Sequence, residues 1–278
     1  MTQTINTNLI SLNAQRNLNT TQGLLATSIQ RLSSGLRVNS AKDDAAGLAI
    51  ATRMDAQVRG MNVAIRNAND AISLSQTAEG GLGQITGMVQ RMRELSVQSA
   101  NATNGAGDRA NLDTEYQSLA NEITRTISAT TFNGVAILGA GAGAQVFQVG
   151  AGTAATDTIT VTTTDLTGNA AVTAVTGAAV DSAANATAAI GKLDTLLDTI
   201  NTQRATFGAA QNRFQSVVSS LQVFSENQTA SKSRIMDADF AMETANLTRA
   251  QVLQQAGTAM LSQANSAPSN VLALLKNL

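Results

Sequence analysis

Apolar side chains recur near the start of the chain at Ile5, Leu9 and Leu12, then at Leu18, Leu25, Ile29, Leu32 and Leu36. The steps are four and three, then seven, four, three and four, the spacing of a helical seam. Asn, Thr, Gln and Ser fill the intervening positions and are mediocre helix formers. Such a seam buries little unless another helix covers it. Gly35 and Asn39-Ser40 interrupt the pattern, and Lys42-Asp43-Asp44 restarts it with acids suited to a helix N-terminus.

A second helix is predicted from about Ala45 to Ser99, carrying Leu48, Ala51, Val58, Ile65, Ile72, Leu82, Ile85, Val89 and Met92. Gly80, Gly81 and Gly83 weaken it, each by about 1 kcal/mol relative to Ala. Asn104-Gly105-Ala106-Gly107 breaks the pattern, and a third helix follows with Leu112, Tyr116, Leu119 and Ile123 on one face. At Phe132-Asn133-Gly134 the period changes to that of a tight turn. Val135 to Leu138, Gln145 to Val149 and Thr158 to Thr162 are β-prone, so residues 135–180 read as a small β-hairpin region with a loose surface loop.

Asp181 or Ser182 then caps a helix carrying Ile190, Leu193, Leu197, Ile200, Phe207, Phe214, Val218 and Leu221, with Arg204 and Gln211 at the two skipped positions. Ile235, Met242, Leu253 and Met260 continue it, and Val271, Leu274 and Leu278 close the chain. As one rod, Asp181 to Ala264 would span roughly 125 Å at 1.5 Å per residue. The expected fold is mainly α: an elongated antiparallel helical bundle or coiled coil, with a small β-hairpin region between the N- and C-terminal helices.

Composition narrows the chemistry. The 278 residues carry a net charge of −1 and contain no Cys, His or Trp, one Tyr and one Pro. Thiol nucleophiles, Ser-His-Asp triads and zinc sites built on nitrogen or sulfur are excluded. No basic excess suggests a nucleic-acid partner. The Gly-Ala-Gly-Ala-Gly run at 139–143 lacks the Lys-Ser/Thr ending of a phosphate loop. No stretch approaches the ~20 apolar residues of a membrane span. The start, MTQTINTNLISLNAQ, has no basic n-region, so residence outside the cell would need export without a cleaved signal. No enzyme, no cofactor and no metal site is expected.

INTNLISLNAQRNL (5–18), RLSSGLRVNSAKDDAAGLAIATRM (31–54), AEGGLGQITGMVQRMRELSVQSAN (78–101) and TFNGVAIL (131–138) resemble the N-terminal region of bacterial flagellin. The stretch from Glu226 to Leu275, with SRIMDADFAMETANLTRAQVLQQAGTAMLSQANSAPSNVLALL, resembles its C-terminal region. Many flagellins carry large outer domains between these regions. Here only some 45 residues separate Leu138 from Ala184, so the chain resembles a minimal flagellin.

The resemblance implies a structural subunit that polymerises with itself into the extracellular flagellar filament for swimming. It implies export, unfolded, by a type III apparatus, and partners in an export chaperone, the filament cap and the hook-filament junction proteins. Residues 1–42 and 234–278 would form a terminal paired-helix domain, with 43–233 as a helical bundle including 135–180. Ile5, Leu9, Leu12, Leu25, Ile29, Leu32, Leu36, Val271, Leu274, Leu275 and Leu278 are the expected assembly residues. QRMRELSVQSAN (90–101) matches a motif recognised by an animal Toll-like receptor, with Arg91, Leu95 and Glu115 as the matched contacts. The plain reading of the same helix packs Leu95 against a neighbour and leaves Arg91 solvated. The alternatives are a hook-filament junction protein, or a filament with an added adhesin or glycan-binding role. Pro268 either starts a last helix or bends a continuous one.

Overall fold

The computed structural model describes residues 7–276, and side chains up to residue 267. Contacts divide the chain into two units, one of residues up to Ala56 and from Asn227, the other Gln57–Glu226.

The first unit is built on α1 (Leu9–Ser34) and α6 (Phe240–Lys276). Asn8 caps α1 by accepting from the Ser11 N–H at 3.0 Å, and its amide donates to the Ala264 carbonyl at 2.7 Å. At the far end Gly35 takes φ +71°, a left-handed cap that a side chain would strain. Asn8 with Ala264, Leu18 beside Gly257, and Arg31 with Glu243 set the two helices antiparallel.

Their inward positions step by three and four on both helices. On α1 these are Ser11, Ala14, Leu18, Thr21, Leu25, Ser28 and Leu32; on α6, Glu243, Leu247, Ala250, Gln254, Gly257, Leu261 and Ala264. The seam therefore alternates half-buried leucines with small and polar residues, not the unbroken line of large side chains anticipated. Leu18, Leu25 and Leu32, seven apart, stay on it. Leu9 stands nine residues before Leu18, half a turn out of phase at 3.6 residues per turn, and faces outward.

The long C-terminal rod is interrupted. Helix α5 (Ala183–Met236) ends before Asp237, and α6 starts after Asp239, whose carboxylate accepts from the Ala241 and Met242 N–H groups. An N-cap aspartate inside an apparently continuous period is the signal that outweighed the periodicity. The connection after α1 pairs with this break: Leu36 bridges Asp237, and the Arg37 N–H donates to the Met236 carbonyl at 2.7 Å. Asp43 accepts from Asn39 and from Ser40, which holds its carboxyl below the usual range, and Asp44 caps the next helix through the Gly47 N–H. Helix α6 continues through position 268 to Lys276, so no new helix starts at Pro268.

The second unit packs α2 (Ala45–Ala100, from Gln57 on), α3 (Ala106–Ala129) and α5. The inner line of α2 changes from Ala64, Ala68, Ala71, Ser75 and Ala78 to Leu82, Ile85, Val89, Met92 and Leu95. Glu79 meets Arg204 (3.6 Å) and Gln211 (3.1 Å), and Arg93 meets Asp194 (2.7 Å), so α2 and α5 run antiparallel. That register sets Phe207 and Phe214 level with the alanine run, large residues against small ones. The two polar residues at skipped seam positions thus converge on one carboxylate.

Asn133 (φ +49°) and Gly134 (φ +79°) turn the first hairpin, β1 (Thr131–Phe132) with β2 (Val135–Ala136). A second antiparallel pair, β3 (Ala144–Gln148) with β4 (Thr158–Thr162), runs from Ala144 opposite Thr162 to Gln148 opposite Thr158. Phe147 meets Phe214 edge-on, with ring centroids 5.6 Å apart.

The expected loose loop is corrected. Residues 163–180 contain α4 (Ala170–Thr176), and Leu166, Val172, Val175 and Val180 are buried. Helix α3 holds this segment through Tyr116, Gln117 and Asp113, which bond the Val175 carbonyl, the Ala178 carbonyl and the Val180 N–H. Seven residues are too short to show a helical period, so nothing in the pattern revealed α4.

Tyr116 is fully buried, and burial, then the charge of Asp113, pushes its pKa up to about 12. The folded chain keeps the phenolic proton where an unfolded chain, with a pKa near ~10, has lost it. Stability should therefore fall as pH rises from about 10 to about 12, by up to ~1.4 kcal/mol per pH unit. Because there is one Tyr and no Trp, ultraviolet titration follows this group alone. Phenolate absorbance should rise together with loss of helical signal; a rise near pH 10 with helices intact would contradict the burial.

Candidate assembly interface

The seam between α1 and α6 takes in Leu18, Leu25, Leu32, Leu247 and Leu261 among small and polar residues, and other large apolar residues are left outside it. Leu9, Ile10, Leu12, Leu24 and Ile29 are exposed on α1, and Phe240, Met242, Val252, Leu253 and Met260 on α6. Leu9, Ile10, Met242 and Met260 are each at least 60% exposed. Scattered apolar residues on a surface are ordinary; those of α1 spread around the helix, whereas Met242, Leu253 and Met260 share one line of α6.

The two flanks of α6 differ. One, a single residue before each seam position, reads Met242, Asn246, Arg249, Leu253, Ala256, Met260. The other, one residue after, reads Thr244, Thr248, Gln251, Gln255, Thr258, with both Thr244 and Thr248 hydroxyls turned back onto helix carbonyls. Of the two, only the first carries large apolar residues, Met242, Leu253 and Met260, beside Asn246 and Arg249. Beside it a groove of ~260 Å³ is lined by Leu24, Thr27 and Arg31 from α1 and by Glu243, Arg249 and Leu253 from α6. Glu243 is nearly buried and lies 3.7 Å from Arg31, which leaves the groove floor charged, with Leu24, Asn246, Arg249 and Leu253 exposed around it.

Of the assembly residues expected from sequence, Leu9, Leu12 and Ile29 are exposed, while Leu25, Leu32 and Leu36 are half-buried. Ile5 and Leu278 lie outside the described residues. Val271, Leu274 and Leu275 fall in α6, beyond the described side chains. Ile10, Leu24 and Val252 were missed, and Met242, Leu253 and Met260 were assigned to a seam they do not join. A signal was available: Leu9-Ile10, Leu24-Leu25 and Val252-Leu253 are adjacent apolar pairs. Neighbours on a helix point about 100° apart, so both cannot face one partner.

Of the receptor-motif residues, Arg91 and Glu115 come together on the surface and Leu95 packs inside, as the plain reading of this helix has it. Arg91 is exposed and bonds Glu115 (2.8 Å) and Glu94 (3.0 Å), contacts that raise its pKa. Leu95, only 1% exposed, lies in the core of the second unit. Four residues on from Arg91, it has turned far enough to point inward, and a direct receptor contact by its side chain is not compatible with this packing. The exposed neighbours are Gln90, Arg93, Glu94, Val97 and Gln98, which line a shallow depression.

These features are those of a mainly helical protein built on long paired helices, with large apolar residues exposed along them. The comparisons with known proteins make the class specific. Residues 5–143 match the family described as the bacterial flagellin N-terminal helical region, and residues 190–275 match its C-terminal counterpart. A flagellin of Halalkalibacterium halodurans is 44% identical over 274 residues, 98% of this chain and 99% of the relative. The flagellar filament 33 kDa core protein of Treponema phagedenis is 41% identical over 285 residues, 98% of this chain and 99% of the relative. The crystal structure of Bacillus cereus flagellin is 35% identical with a TM-score of 0.50, covering 56% of this chain and 88% of that one.

The chain belongs to the bacterial flagellin family, in a minimal form without a large outer domain. It is a structural subunit of the extracellular flagellar filament and not an enzyme.

Proposed function

We propose that each copy meets its neighbours in the filament through the outward apolar faces of α1 and α6. The observation that carries this reading is the row Leu24, Met242, Leu253, Met260, exposed along one flank of the helix pair and outside its seam. A repeated head-to-tail contact of this kind does not close on itself and grows an open helical polymer.

The subunit leaves the cell unfolded through a type III apparatus. That reading fits a chain without disulfides and with a single proline. Before export a dedicated chaperone covers the C-terminal stretch with Val271, Leu274, Leu275 and Leu278; outside, the subunit adds beneath the cap onto the junction proteins. Receptor recognition, where a host is present, runs through the exposed Arg91–Glu115 pair, with Leu95 holding the helix in place from inside.

Seeding purified subunit with short filament fragments tests the assembly reading. Electron microscopy should show tubular filaments for the full chain, whereas a chain lacking residues 271–278 should stay a folded, soluble monomer. Normal filaments from the truncated chain would remove those residues from the assembly surface.

A further inference from the structure

Of the eight methionines, Met1 lies outside the described residues. Met54, Met61, Met88 and Met236 are half-buried, and Met92 is fully buried. Among the described residues only Met242 and Met260 are exposed, at 65% and 60%. They are eighteen residues apart on α6, five turns at 3.6 residues per turn, so both lie on one line of the helix. Leu253 stands on the same line between them, on the rim of the groove that Leu24 completes from α1. The exposed thioethers therefore sit on that line of α6, on either side of the groove.

We propose that Met242 and Met260 form an oxidation site for hydroperoxides that controls whether a free subunit can join the filament. The inference rests on the reading of this flank as a face covered by a second copy. The chemistry is a two-electron oxygen transfer. The sulfur lone pair attacks one peroxide oxygen, the O–O bond breaks and an S–O bond forms; the departing hydroxide takes the proton from the transferred oxygen and leaves as water. Sulfur is oxidised and the peroxide reduced, with no other reactant.

The product is a polar sulfoxide in place of a flexible apolar side chain. In a free subunit this group faces water and costs the fold nothing. Beneath a neighbouring subunit it is a desolvated acceptor set beside Leu24 and Leu253, where the unoxidised side chain asked for no partner. The oxidant has few competing targets, because the chain has no Cys and no Trp. A subunit already incorporated has the same two sulfurs shielded by its neighbour. Growth at the tip, rather than the existing filament, becomes the peroxide-sensitive step.

The test treats free subunit and finished filament with hydrogen peroxide and maps the added oxygen by peptide mass spectrometry. In the free subunit Met242 and Met260 should oxidise well ahead of Met92, and in the filament they should be protected. The oxidised subunit should need about a tenfold or higher concentration to polymerise, the cost of two unsatisfied polar groups in each contact. Met242→Leu with Met260→Leu should polymerise equally well before and after peroxide. Met242→Gln with Met260→Gln, a polar mimic, should raise the required concentration without any oxidant.

Oxidised wild-type subunit polymerising at an unchanged concentration would overturn the proposal, as would a glutamine variant that assembles normally. A leucine variant that loses assembly on peroxide treatment as fully as wild type would do the same. Equal oxidation of both methionines in subunit and filament has a different meaning: the flank is not covered, and the assembly reading itself fails. Protection in the filament with no effect of oxidation on assembly sinks the inference alone.

Discussion

A subunit carrying Leu95→Asp is expected to lose the fold of its second unit. Leu95 is 1% exposed, in a core that includes Met92, Tyr116 and Leu193. Removing a buried leucine costs about 2–5 kcal/mol by itself. Placing a carboxylate in the space adds the desolvation of a charge, or a pKa raised until the group is neutral. The total exceeds about 4 kcal/mol, a large share of a domain's stability. Thermal melting followed by circular dichroism should show the main helical transition lowered or absent, whereas Leu95→Met should cost under ~1.5 kcal/mol. A native-like melt for the aspartate variant would contradict the packing. Loss of receptor signalling by Leu95→Asp would accordingly report unfolding, and Arg91→Ala, at an exposed position, is the substitution that separates recognition from stability.

The second large effect falls on assembly and leaves the monomer intact. Leu24→Asp with Leu253→Asp places two charges on the groove rim, at positions 57% and 48% exposed. In the free subunit both face water, and changes there should stay within about ±0.5 kcal/mol each. In the filament each contact would bury charge against an apolar surface, which costs several kcal/mol and recurs at every subunit. Sedimentation after seeding should find this variant in the supernatant at concentrations where the parent chain pellets as filament. Filaments that form normally would show that the rim is open to solvent in the polymer.

Much of the fold was legible because long helices repeat their period many times. The bounds of α2 and α3 follow from the apolar spacing, the Asn104–Gly107 breaker and the Asp44 cap. The Asn133-Gly134 turn follows from two residues that accept positive φ. What escaped were features carried by few residues: α4, and the break at 237–239 that turns on a single capping aspartate. The assembly face was half legible. Periodicity finds that a helix is amphipathic, but it assumes that the largest apolar residues face the nearest partner. Here Ala14, Gly257 and Ser28 take that place, and Leu24 and Met260 do not. The positions of Arg204 and Gln211 were visible as gaps in the heptad; that both reach Glu79 required the pairing of α2 with α5.

The seam of Ser11, Thr21, Ser28, Gln254 and Gly257 also has a thermodynamic consequence. Apolar burial contributes about 25 cal/mol per Å², and a contact that sets half-buried leucines among hydroxyls, amide and bare backbone removes less such area from water than an all-leucine seam would. The conformational entropy of ordering two long helices is nevertheless lost in full. The pair by itself is thus close to thermodynamic balance, and the side chains able to tip it are those that meet only other copies. Folding of the ends and addition to the polymer become one linked equilibrium, governed by subunit concentration. A terminal region that gains stability from neighbouring copies becomes most rigid where the filament is built.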